Sequence, residues 1–164
     1  MATTMTTKTE NPLVRRATVS DLEALVSLMQ DFYAEANFPL DLQWAASSFH
    51  TLLSNAASGC AWLAHAGAQP VGHTVLTVRH TMEHGGLSGY VDDLFVQPGF
   101  RRSGLGRALL AELFAEARSR GCRSIQVELG ASNVPARALY SGLGLVPSQD
   151  DPLLLSGALK GIGI

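Results

Sequence analysis

Cysteine is scarce in this chain: Cys60 and Cys122 are the only two among 164 residues. Neither has metal-ligand spacing, so the sequence offers no disulfide framework and no cysteine-based zinc site, and both read as buried thiols in a reducing compartment. Charge is sparse as well. With 16% charged residues and a formal net charge of −2, the chain is neither a basic nucleic-acid binder nor a charged, disordered segment, and its 46% hydrophobic content suits a packed domain. No run of eighteen apolar residues occurs, and the Thr-rich stretch Met1 to Glu10 has no apolar core of the kind that directs secretion. The expectation is therefore a cytoplasmic protein without membrane or nucleic-acid partners.

Two familiar glycine motifs are missing too. The position three after Gly106 is Leu109, and no Gly-Lys-Ser/Thr follows the glycine-bearing loop, which excludes the dinucleotide fingerprint and the P-loop. His80-Thr81-Met82-Glu83-His84 has the spacing of an inverted zinc-peptidase motif, but that chemistry needs both histidines on one helical face. Here β-prone Val75 to Thr81 precedes the match and Gly85-Gly86 closes it, so no metal is expected.

What is present reads as one domain over residues 12–164 behind a flexible tail, 1–11, with neither repeat nor linker. Leu13 to Ala17 suits a short strand, and Ser20-Asp21-Leu22-Glu23 a capping box opening a helix whose apolar face holds Leu22, Leu25, Val26, Met29, Phe32 and Tyr33. A second helix is expected over Leu42 to Asn55, then a hairpin of Cys60 to Ala66 and Val71 to Thr81, a loop over Glu83 to Ser88, and a strand over Gly89 to Val96. Leu105 to Arg120 reads as an amphipathic helix closed by Gly121, followed by a strand at Ser124 to Leu129, a short helix at Pro135 to Ser141 and two strands between Leu143 and Leu159. This order predicts an α/β (α+β mixed) fold, a central mixed sheet with helices on both faces.

The most informative stretch joins Val96 to Arg107, where a strand runs through a glycine-bearing turn into a helix. The first amides of a helix lack partners and the macrodipole adds partial positive charge, so such a start attracts phosphate. The same residues also suit an ordinary turn into an amphipathic helix. Arg101-x-x-Gly104-x-Gly106, however, resembles the acyl-CoA pyrophosphate loop of the GCN5-related N-acetyltransferases, and a second pattern of that family, Asn133-x-x-Ala136-x-x-Leu139-Tyr140-x-x-x-Gly144-Leu145, follows in the right order. The resemblance spans nearly everything from Leu13 to about Leu159. It implies an acetyl-CoA-dependent N-acetyltransferase in which amine attacks thioester directly in a ternary complex.

By that resemblance, main-chain groups near Leu94, Phe95 and Val96 hold the pantetheine and thioester carbonyl, and Arg101, Arg102, Ser103, Gly104, Leu105, Gly106 and Arg107 form the pyrophosphate loop. Arg102 departs from the glycine often found at its position. Tyr140 matches the tyrosine that protonates the departing thiolate, which its higher intrinsic pKa allows, although an aromatic on a short helix also suits packing. Asn133 matches a coenzyme-contacting residue and is equally a good N-cap, while Arg137 reads either as a phosphate contact or as a solvated surface residue.

Of the adjacent acids in Tyr90-Val91-Asp92-Asp93-Leu94 only one faces the cleft, because strand side chains alternate; Asp92 is the expected base, acting through a water, and Asp93 a carboxylate with a structural partner that helps shape the cleft. Glu35 and Asp41, flanking the loop between the first two helices, are expected to attract a cationic acceptor, and His84 to line its site. The acceptor expected is a small primary amine, of polyamine or aminoglycoside type. The alternatives are a protein N-terminus or lysine and, in a different class, a non-catalytic acyl-CoA sensor. A homodimer is expected from the family's habit.

Overall fold

The computed structural model describes residues 13–147 apart from residue 131. Its elements run β1 (Leu13–Arg16), α1 (Leu22–Glu35), α2 (Leu42–Ser54), β2 (Gly59–Ala66), β3 (Gln69–Thr81), β4 (Gly86–Val96), α3 (Leu105–Ser119), β5 (Ser124–Val127) and α4 (Val134–Ser141). The chain forms two compact units, the first ending at Gly130 and the second comprising the residues beyond it. The two strands expected between Leu143 and Leu159 fall mostly outside the described residues, and 143–147 are turn and irregular. Among the described residues no helix is long and apolar enough to cross a membrane.

The first unit holds a five-stranded sheet in sequence order, β1-β2-β3-β4-β5, antiparallel throughout except for the parallel pair β4–β5. Alternation along β3 assigns its two faces. Val75 joins Ala61, Leu63 and Phe95 under Leu25, Leu28, Met29, Ala45 and Phe49 of α1 and α2. Its neighbour Leu76 points the other way, towards α3, which buries Leu105, Leu109, Leu110, Leu113, Phe114 and Ala117 as its apolar spacing requires. Helices thus cover both faces of the sheet.

Boundaries moved where two local signals competed. The capping box forms not at Ser20–Glu23 but two residues earlier, at Thr18–Asp21, where Asp21 accepts from the Thr18 amide at 2.9 Å and hydroxyl at 3.2 Å. Arg15 fixes that choice by donating two hydrogen bonds to the Asp21 carboxylate, at 2.6 and 2.8 Å, and with them holds it far below the usual carboxylate range. A turn of 3₁₀ helix, Val19–Asp21, therefore precedes α1. Strand β4 starts at Gly86, inside the expected loop, and the expected strand to Leu129 stops at Val127. Cys60 is buried as expected, while Cys122 is only partly covered.

One irregularity shapes everything that follows. Val75 pairs with Asp93 but Leu76 with Val91, so Asp92 is an extra, unpaired residue and β4 bulges there. On its other side, β4 pairs with β5 only from Ser88↔Ser124 to Val91↔Val127. Beyond the bulge the β4–β5 pairing ends, and among the described residues, 93–96 pair on the β3 side alone.

Candidate functional site

The parting of β4 and β5 opens a notch lined by main chain. The Gln97 amide donates to Val71 of β3 at 2.9 Å, and alternation back along the strand turns the Phe95 amide to the same side, where Phe95 pairs with His73. The amides of Leu94 and Val96 therefore point into the notch. Of the three strand residues expected to hold a coenzyme, Phe95 instead contributes its side chain, 4% exposed, to the core under α1.

The chain leaves β4 through the 3₁₀ turn Pro98–Phe100 and enters α3 from Gly104, whose φ of +87° is open to glycine at little cost. Gly104 has no side chain to cap the helix, and its first intrahelical bond is Ala108 N–H to Gly104 C=O at 2.9 Å. The amides of Leu105, Gly106 and Arg107 precede that bond and so find no partner within the helix. No acid occupies the first turn; Arg107 stands there instead, adding positive charge where a helix dipole disfavours it. That combination fits a bound anion. Arg102 lies exposed with φ +63°, which explains why glycine suits its position: a side chain in the left-handed region costs on the order of 1 kcal/mol. The Ser103 hydroxyl is occupied in donating to the Phe100 carbonyl at 2.6 Å.

Arg101 does something the sequence did not suggest. Its guanidinium donates to Glu35 at 2.6 Å and to the Val96 carbonyl at 2.7 Å, and stands 5.6 Å from the Phe95 ring centre. Beside it, Gln97 donates to Asp31 at 2.9 Å. The last two turns of α1 are thus tied to the loop that leads into α3, and Arg101 and Glu35 neutralise each other.

The other acceptor-side expectations divide. Asp41 accepts from the amides of Gln43 and Trp44 at 2.9 and 3.0 Å and so caps α2. His84 sits in the turn between β3 and β4 beside Glu83, at 4.0 Å. At least six strand residues, about 20 Å, separate that turn from Asp92, so His84 does not join the site. This turn and strand also deny the His80–His84 motif the helix it requires. Asp93 faces the buried His73 ring at 3.5 Å, and its carbonyl accepts from Thr74 at 2.8 Å. If the His73 proton lies on Nε2 towards Asp93, the buried Nδ1, which meets no partner, carries only a lone pair.

Around Asp92 the structure gathers residues that no motif marked. The crowding of the surrounding chain and the charges of Asp93 and Glu128 raise the Asp92 pKa above the usual aspartate range. Burial, then Asp93 and Asp92, raise the Tyr33 phenol of α1. Burial and a hydrogen bond to Glu128 push the Tyr90 phenol far above its ordinary value. Tyr33 of α1, Tyr90, Asp92 and Asp93 of β4 and Glu128 just after β5 therefore lie near enough for their charges to act on one another around the bulge. Among the described residues these acids form no cluster suited to hold a metal ion.

In the second unit, Asn133 caps α4 by accepting from the Ala136 amide at 3.2 Å, Arg137 is exposed, and Tyr140 is buried at 4% exposure.

The sequence model of the acetyltransferase (GNAT) family matches residues 22–145. The chain is 29% identical over 141 residues to an aminoglycoside N(6')-acetyltransferase type 1 of Stenotrophomonas maltophilia, covering 84% of this chain and 88% of the relative. A shorter match, 46% identical over 52 residues, reaches the ribosomal protein bS18-alanine N-acetyltransferase of Escherichia coli K12, covering 32% of this chain and 35% of that one. A solved integron cassette protein from the mobile metagenome of Cole Harbour Salt Marsh superposes with a TM-score of 0.79 at 39% identity, covering 89% of this chain and 90% of its own.

The fold and these matches define an acyl-transferring enzyme. The chain belongs to the GNAT acetyltransferase family and is an N-acetyltransferase.

Proposed function

We propose that residues 12–164 act as one catalytic domain that transfers acetyl from acetyl-CoA to the primary amine of a small molecule. The observation that carries this reading is the convergence of Asp92, Asp93 and Glu128 at the bulge of β4, beside a notch lined by the Leu94 and Val96 amides. A positively charged ammonium is attracted to such a face, and a neighbouring carboxylate is a ready proton acceptor. The similarity to an aminoglycoside acetyltransferase, over most of both chains, supports a small acceptor.

In this reading the amides of Leu105, Gly106 and Arg107 bind the coenzyme pyrophosphate, and those of Leu94 and Val96 hold the pantetheine and polarise the thioester carbonyl. Asp92 takes the proton of the incoming ammonium through a water, since only the neutral amine attacks. Its raised pKa makes it a better base than an ordinary aspartate. Tyr140 supplies a proton to the departing thiolate, a role resting on the Asn133 to Leu145 motif. Asn133 and Arg137 are assigned to the coenzyme on the same ground.

The match to a ribosomal-protein alanine acetyltransferase favours a second reading, a peptide N-terminus as acceptor, but it spans only a third of the chain. Thiol release from acetyl-CoA, measured across small amines and across peptides with free N-termini, separates the two. Turnover with small amines and none with peptides is expected; the reverse would transfer the assignment to the peptide.

A further inference from the structure

The face that gathers the acids also carries a cation that transfer to a simple amine leaves unused. Arg79 of β3 is exposed, and its guanidinium is fixed by neutral partners: it donates to the Gln126 side-chain carbonyl of β5 at 2.6 Å and stands 5.5 Å from the Tyr90 ring centre. It makes no ion pair with an acid among the described residues. Thr77 pairs with Tyr90, and Tyr90 with Gln126, so alternation sets Arg79, Tyr90 and Gln126 on one face. Tyr90 donates to Glu128 and lies two residues from Asp92. A guanidinium oriented by an amide and an aromatic ring keeps donors free, in the fork geometry that suits an oxyanion.

We propose that Arg79 anchors an anionic oxygen group on the acceptor, so that the enzyme acetylates an amine whose far end carries a carboxylate or phosphate. The inference rests on the small-amine reading above and narrows it from polycations to molecules bearing both signs of charge. Asp92 and its neighbours receive the ammonium; Arg79, next to the residue two strand positions away, receives the anion. Strand spacing and the neighbouring strand's offset put the two ends about 7–10 Å apart. A molecule that carries its amine and its oxyanion at the two ends of a flexible chain can meet both groups. A polyamine would place a second ammonium against Arg79.

Four acceptors test this: 6-aminohexanoate, 5-aminopentyl phosphate, n-hexylamine and cadaverine, with kcat/KM measured for the wild type and for Arg79→Gln and Arg79→Lys. The wild type is expected to favour the two oxyanion-bearing amines over hexylamine and cadaverine by about tenfold or more. The better of those two identifies carboxylate or phosphate as the group recognised. Arg79→Gln should remove the preference by lowering only those two, leaving hexylamine within about twofold, and Arg79→Lys should restore part of it. Equal use of all four by the wild type, a preference for cadaverine, or equal loss on all four in a folded Arg79→Gln protein overturns the proposal while the small-amine reading stands. Should Arg79→Gln not fold, the wild-type preference decides alone. Turnover of none of the four overturns the proposal, and if peptides with free N-termini are acetylated instead the small-amine reading falls with it.

Discussion

The two sides of β4 are built by different rules. On the notch side, from Leu94 to Arg107, the proposed recognition lies in the main chain: strand amides beyond a bulge, then a glycine with φ +87° and the first amides of α3. On the proposed acceptor side it lies in side chains brought together from α1, β3, β4 and the end of β5, namely Tyr33, Arg79, Asp92 and Glu128. A main-chain site needs small residues and a helix start at consecutive positions, so it constrains an unbroken stretch of sequence. A side-chain site needs only that the fold bring its members to one face, and its members are free to change with the acceptor.

The largest effect is expected from removing the proposed proton donor. Tyr140→Phe should lower kcat by about 10²–10⁴-fold with little change in acetyl-CoA affinity, measured where chemistry limits the rate. Wild-type turnover in that variant would return Tyr140 to packing alone.

On the acceptor side, the proposed base Asp92 acts in its ionised form. Crowding by the surrounding chain and two neighbouring carboxylates raise its pKa, so the acidic limb of kcat/KM should lie above the ordinary aspartate range. Asp92→Asn should depress kcat/KM and abolish that limb. Glu128→Gln removes a like charge, stabilises ionised Asp92 and should move the limb to lower pH. A limb that stays in place in Glu128→Gln would separate Glu128 from the base.

Smaller effects are expected where the two sides are tied together. Glu35→Gln breaks the pair with Arg101, whose partners are both substantially exposed, so stability should fall by no more than about 1 kcal/mol in chemical denaturation. Arg102→Gly relieves a left-handed backbone and should raise stability by at most about 1 kcal/mol, without loss of acetyl-CoA affinity. A marked loss of affinity would show that the Arg102 side chain contacts the coenzyme.

The same division decides what could be read in advance. The order of strands and helices was legible from apolar periodicity, and the α3 entry from Gly104 and Gly106, because both signals are local. Asp92 was singled out because it adjoins that stretch. Glu128 and Arg79 carried no local mark: an acid after a strand and an arginine within one are ordinary until β5 is laid beside β4. For Glu35 and Asp41 the charges were visible, but their partners, the Arg101 guanidinium and the first amides of α2, were not. The bulge itself also escaped, since an extra residue at Asp92 leaves the alternating pattern of β4 intact when read alone.

Calorimetric titration with acetyl-CoA of the wild type, Gly104→Val and the double variant Asp92→Asn/Glu128→Gln, paired with turnover, tests the division most directly. Val at position 104 puts a branched side chain in the left-handed conformation at the mouth of the anion site and should weaken acetyl-CoA binding by about tenfold or more. The double variant should bind acetyl-CoA like the wild type while losing kcat/KM for the amine. Unchanged affinity in folded Gly104→Val, or affinity lost in the acceptor-side variant, would contradict the assignment of the coenzyme to the notch and the amine to the acids.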